Sequence, residues 1–246
     1  MPLNEPLSPP GQSELSASSR IRVPAFLTHV RSLFMISGVC GLVDAVCFLS
    51  LGEVFAEMMT GNLLLIAFYA GTGHPPAAYA ANAMAVVAFV LGAVMAGRIV
   101  RGRLGHTRFG FFIEWGFLAL AVAFSLTLPL ETSEVARFAL IGTLAFAMGM
   151  QNALIRRHGV PDLATNVMTL TLTALVADST LAGGENERWR RRFASITVFV
   201  AGAMLGALLT TSVAPWAPLL AALALFTLAL PGLTRPAAAQ PDAPPA

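Results

Sequence analysis

A chain of 246 residues that is 56% hydrophobic and only 11% charged, with a mean hydropathy of +0.72, lies far from the composition of soluble domains. This excludes an ordinary soluble fold. The net charge of +2 comes from fifteen arginines and no lysine, scattered over separate joints, which excludes a nucleic-acid-binding patch. Long apolar runs parted by short polar joints mark an all-α, polytopic helical membrane protein, because each span needs about 20 apolar residues.

The chain opens with a tail, residues 1–30, whose first 24 positions are rich in Ser, Pro and Glu and lack the apolar core of a secretory signal. It is expected to be a disordered cytoplasmic arm. Eight apolar segments follow, at roughly 33–51, 54–71, 79–100, 109–130, 136–155, 163–181, 193–213 and 216–231. The closing stretch, 232–246, is rich in proline and alanine and is expected to stay disordered as well.

The first segment carries Cys40, Asp44 and Cys47. The two cysteines sit two helical turns apart, too far to bridge each other, so they read as free thiols or small core residues. Asp44 falls near the bilayer centre, where a carboxylate costs about 2.5–3.5 kcal/mol on the lenient insertion scale. With no basic residue inside any segment, Asp44 must be protonated, bound to a cation, or hydrogen-bonded to partners such as Asn152 or Thr60.

Segments two and six are the most polar. Segment two holds Glu57 and the triplet Thr60-Gly61-Asn62, while segment six holds Thr165, Asn166, Thr169, Thr171 and Thr173. A hydroxyl, a flexible glycine and an amide suit a helix break whose freed backbone groups bind an ion or polar solute, although the same triplet also serves as a plain cap. Glu53 and Glu57 read as acids facing the outer interface. Glu114 lies deeper, amid Phe111, Phe112 and Trp115, and is a candidate second proton-carrying carboxylate. The competing reading has it reaching toward water from a helix end, six residues beyond Arg108.

Arginine placement orients the segments, because short arginine-bearing loops stay cytoplasmic. If all eight segments cross, nine arginines lie inside and six outside. If segments two and six enter and leave on one side, fourteen lie inside and only Arg137 outside. Six spans plus two re-entrant or broken segments is therefore the preferred arrangement, with both termini cytoplasmic and eight spans as the alternative. Segment six shows the reason directly, bracketed by Arg156 and Arg157 at one end and by Arg188 to Arg192 at the other.

The halves also match in order. Gly41-Leu42-Val43-Asp44-Ala45 aligns with Gly149-Met150-Gln151-Asn152-Ala153, Met59-Thr60-Gly61-Asn62-Leu63 with Met168-Thr169-Leu170-Thr171-Leu172, and Phe89 to Ala93 with Phe199 to Ala203, at offsets of 108, 109 and 110. Such constancy points to duplication, giving membrane repeat one (31–130) and membrane repeat two (131–231). Three crossings per half make the repeats inverted, a recurring transporter design with its site near the midplane. Asp44, Thr60, Gly61 and Asn62 in one half, with Gln151, Asn152 and Thr169 in the other, are the expected substrate- or ion-binding residues. The small residues Gly38, Gly41, Gly92, Gly149, Gly202 and Gly206 read as close helix contacts.

The G-x-x-D-A stretch at 41–45, the T-G-N triplet at 60–62 and the Q-N-A stretch at 151–153 resemble the YoaK-like family of bacterial inner-membrane proteins, over roughly residues 30–230. The resemblance implies several membrane helices and a place in the inner membrane, and carries little biochemistry. Thr169-Leu170-Thr171 departs from the pattern in lacking the glycine, which weakens the case for two symmetric breaks.

The expected function is a secondary transporter or permease for a small solute, with Asp44 as the candidate proton-coupling group; the alternative is a non-transport membrane scaffold or sensor using the Arg188 to Arg192 face. Expected partners are the lipid bilayer and the solute, with a homo-oligomer left open. No paired nucleophile and base, cofactor fingerprint or completed metal-ligand set points to an enzyme, a cofactor or a metal.

Overall fold

A computed structural model describes residues 25–101, 106–158, 168–186 and 188–234. The expected terminal tails fall mostly outside these residues, as do Thr165 and Asn166. The described chain is eight α-helices: α1 (Ala25–Ser50), α2 (Met59–Gly71), α3 (Ala80–Arg101), α4 (His106–Thr127), α5 (Glu134–His158), α6 (Met168–Ala177), α7 (Trp189–Ser212) and α8 (Trp216–Leu233). No strand occurs among the described residues. α1 begins inside the stretch read as tail, and α8 runs on through Pro231.

Length separates the helices into two kinds. Six are long and apolar enough to cross a membrane, whereas α2 and α6 are shorter apolar helices. At about 1.5 Å per residue, α2 and α6 reach roughly 20 Å and 15 Å, short of the ~30 Å hydrocarbon core. They are the two segments singled out by arginine placement. One boundary differs from expectation: segment two does not begin as helix at residue 54, because 51–58 form an irregular loop. The loop starts where Gly52, at φ +102°, lets the amide of Glu53 reach the Phe48 carbonyl at 3.2 Å and close off α1.

The helices pack through glycine. A Cβ on Gly41 would collide with the Phe199 carbonyl oxygen, and one on Gly202 with the Gly38 carbonyl, so α1 and α7 cross backbone against backbone. A Cβ on Gly92 would collide with the Phe146 carbonyl and one on Gly149 with that of Phe89, so α3 and α5 cross in the same way. Between helices in lipid, attraction comes from van der Waals packing rather than water exclusion, and small residues permit the close approach. α8 lies against α1, and α4 against α5. The result places α1 and α5 inside, with Ile36, Val39, Val43, Leu144, Met148 and Leu154 fully enclosed. α7 turns apolar side chains such as Val200, Met204 and Leu208 outward, a surface suited to lipid.

Candidate functional site

The 51–58 loop folds back over α1 rather than running out to solvent. Its amides at Ala56 and Glu57 donate to Asp44 Oδ1 at 2.8 and 2.9 Å, two bonds of the kind that satisfy orphan amides ahead of a helix. Asn62, in the first turns of α2, holds the same loop: its Oδ1 accepts from the Phe55 amide at 2.9 Å and its Nδ2 donates to the Phe55 carbonyl at 2.7 Å. Asn82 of α3 adds bonds to the Glu53 carbonyl at 3.2 Å and to Asn62 Oδ1 at 3.3 Å. Gly61 leaves room for the Phe55 ring, which stacks on Phe48 with centroids 5.2 Å apart.

The Thr60-Gly61-Asn62 triplet therefore anchors a break that lies just before it. It does not itself unwind, since all three residues are helical. Thr60 is exposed and does not reach Asp44. In the other half Thr169 is exposed too, and its carbonyl accepts the Thr173 hydroxyl at 2.8 Å; the buried residue of that turn is Thr171. Neither threonine faces the interior.

The expected pairing of Asp44 with Asn152 is not made either. Asn152 Nδ2 donates to the Met148 carbonyl one turn back in its own helix, at 2.9 Å. The neighbour Gln151 is the residue that crosses from α5 to α1, with Nε2 2.9 Å from Cys40 Sγ. Cys40 lies one turn before Asp44, so both share a face of α1. Glu57 lies near Cys40 and is buried rather than facing the outer interface. Glu53 is the acid that stays outside, accepting the Tyr69 hydroxyl at 3.1 Å.

Asp44, Glu57, Cys40 and Gln151 thus form one polar cluster in the interior, each no more than 5% exposed. Two of them, Glu57 and Cys40, are site candidates that sequence reasoning passed over. The signal for Cys40 was its i, i+4 spacing from Asp44; for Glu57 it was an acid flanked by Val54, Phe55, Ala56, Met58 and Met59 with no arginine near. Asp44 Oδ2 and Gln151 Oε1 are buried with no donor among the described residues. Among the described residues, no group of three His, Cys, Asp or Glu side chains is arranged to hold a metal ion.

Glu114 does not reach toward water. It is fully buried on the α4 face that also carries Phe111 and Leu118, and neither carboxyl oxygen has a hydrogen-bond partner among the described residues. Leaving such a group unsatisfied costs about 1–3 kcal/mol or more. Glu114→Leu is expected to raise the melting temperature of the detergent-solubilised protein; a lower one would show that the acid is held by something that stabilises it.

At the other short helix, Arg192 turns inward from the start of α7. Its Nη1 donates to the Ala174 carbonyl at 2.7 Å and to Asp178 Oδ2 at 2.6 Å, tying the end of α6 to α7. The arginine run 188–192 is therefore not wholly a solvated face.

The sequence profile described as "Protein of unknown function (DUF1275)" matches residues 32–230. The chain belongs to the DUF1275 family. Its relatives include the UPF0700 transmembrane protein YoaK of Bacillus subtilis (strain 168), 28% identical over 144 residues, covering 56% of this chain and 61% of that protein. The YoaK-like resemblance carried by the G-x-x-D-A, T-G-N and Q-N-A stretches is thereby shown. No solved structure matches the DUF1275 chain. Family membership and the six long apolar helices make it a membrane protein.

Proposed function

We propose that this DUF1275 protein is a secondary transporter or permease for a small solute, built from two inverted halves in the inner membrane with both termini cytoplasmic. The observation that carries the reading is the buried polar cluster where α1, α5 and the broken approach to α2 meet. Irregular backbone at membrane depth is tolerated where it is buried in protein or lines a path, and ionisable groups there mark substrate or proton routes.

The helix crossings support the two-half reading. If α1 corresponds to α5 and α3 to α7, the glycine crossing of α1 on α7 corresponds to that of α5 on α3. The contacts of α1 with α8 and of α5 with α4 correspond likewise, as do those of α2 with α3 and of α6 with α7. Asn82 and Arg192, related by the same offset of 110, each tie a short helix to the long one that follows.

Uptake of a panel of labelled small solutes into proteoliposomes under an imposed pH gradient tests the reading. Asp44→Asn is expected to abolish the pH-driven component while the protein remains folded. Uptake that ignores both pH and this substitution would remove Asp44 from coupling. Orientation is tested by single cysteines at the two ends of α6: both are expected to label from the same side of the membrane, and labelling from opposite sides would restore eight spans.

A further inference from the structure

Glu114 is the interior acid that the cluster around Cys40 leaves out. It lies eight residues on from the start of α4, about 12 Å along the helix and so within the ~30 Å hydrocarbon core. Two contacts fix its level against α5. A Cβ on Gly110 would meet Leu154 Cδ2 at 2.7 Å, and the Phe117 ring packs on Phe146 with centroids 4.6 Å apart. The two helices run antiparallel there, so Glu114, between Gly110 and Phe117, comes level with Met150, one residue from Gln151.

No charge balances it. Glu114 is 0% exposed, and neither of its carboxyl oxygens has a partner among the described residues. Of the helices packed against α4, α8 carries no ionisable residue. The others hold theirs at helix ends: Glu134 and Arg137, then Arg156, Arg157 and His158, on α5, and Arg98 and Arg101 on α3. On α4 itself His106 stands at the first position and Arg108 is exposed.

An ionised carboxylate in this place would be a buried charge without a counter-ion, and taking up a proton removes that cost. The neutral acid makes no hydrogen bond to its described neighbours; what it can do that a leucine cannot is bind and release a proton. We infer that Glu114 is a proton-binding site, which holds its proton as a neutral carboxylic acid in the closed bundle and releases it when α4 parts from α5 and α8. On release the O–H bond breaks and the proton passes to entering water, which solvates the carboxylate left behind. This deepens the transporter reading by adding a second proton site to Asp44, and rests on that reading for the parting of the helices.

The test is infrared absorption of the full-length protein in proteoliposomes at neutral pH. The native sequence is expected to show the C=O stretch of a protonated carboxyl, with a component that Glu114→Gln loses and Asp44→Asn keeps. Should Glu114→Gln fail to fold, Glu114→Leu carries the comparison. On transfer to D2O the Glu114 component is expected to move to its deuterated position while the protein stays folded, because opening of the bundle brings it to water.

Equal spectra for the native sequence and Glu114→Gln would overturn the inference, as would a component that shifts only on denaturation. A component that exchanges in a protein that takes up none of the solute panel upholds the proton site and overturns the transporter reading. Uptake driven by pH in a protein whose spectrum lacks the component upholds transport and overturns the site.

Discussion

Gly149→Ala is expected to destabilise the protein by about 3 kcal/mol or more, the upper end of overpacking costs. The added methyl would meet the Phe89 carbonyl, and a backbone oxygen in a membrane helix cannot swing aside as a side chain can. The clash lies where α5 crosses α3, so relieving it means separating two of the six long helices. Gly41→Ala, at the crossing of α1 on α7, is expected to do the same. Gly116→Ala is the control: a Cβ there meets nothing within 4 Å, and replacing a mid-helix glycine by alanine gains up to about 1 kcal/mol. Thermal unfolding in detergent distinguishes them. Equal melting temperatures for Gly149→Ala and Gly116→Ala would contradict the packing described for α3 and α5.

Asp44→Ala is expected to be the most damaging change in the polar cluster. It leaves the amides of Ala56 and Glu57 buried without their acceptor, at about 1–3 kcal/mol for each. Asp44→Asn keeps an oxygen for those amides and removes the charge, so it is expected to melt close to the native sequence. Amide hydrogen exchange gives the local readout: Asp44→Ala should expose residues 51–58 well before α4, while Asp44→Asn should not. Protection of the loop in Asp44→Ala would mean that Asn62 and Asn82 hold it unaided.

These two positions also show what was legible in the sequence. Eight apolar segments, and the two whose described helices are short, could be read from hydropathy and from arginines bracketing segment six. The glycines at 41, 92, 149 and 202 could be read as contacts from their spacing, though not which helix each would meet, because that depends on long-range pairing. The start of α2 was misjudged because Val54, Phe55 and Ala56 are apolar. They are apolar for burial in a loop, and periodicity cannot tell a buried loop from a helix turn.

The site was legible at Asp44 and less so around it. Composition shows that a buried acid needs partners; it does not show that backbone amides twelve and thirteen residues onward supply them. Asn62 looked like part of a binding motif, yet its amide is spent holding Phe55. Glu57 looked like an interfacial acid because hydropathy does not reveal that Gly52 turns the chain back over α1. Gln151 was the correct half of the Gln151-Asn152 pair to cross the bundle, and only helix rotation decides between neighbours.

The proposed transport requires that motion of the two halves open the cluster around Cys40 to water. With Cys47 replaced by alanine, Cys40 is a native reporter within that cluster. A membrane-impermeant thiol reagent is applied to proteoliposomes first from outside and then from inside. Modification of Cys40 from both faces is expected; labelling from neither face, with full labelling once the protein is denatured, would contradict the transport reading.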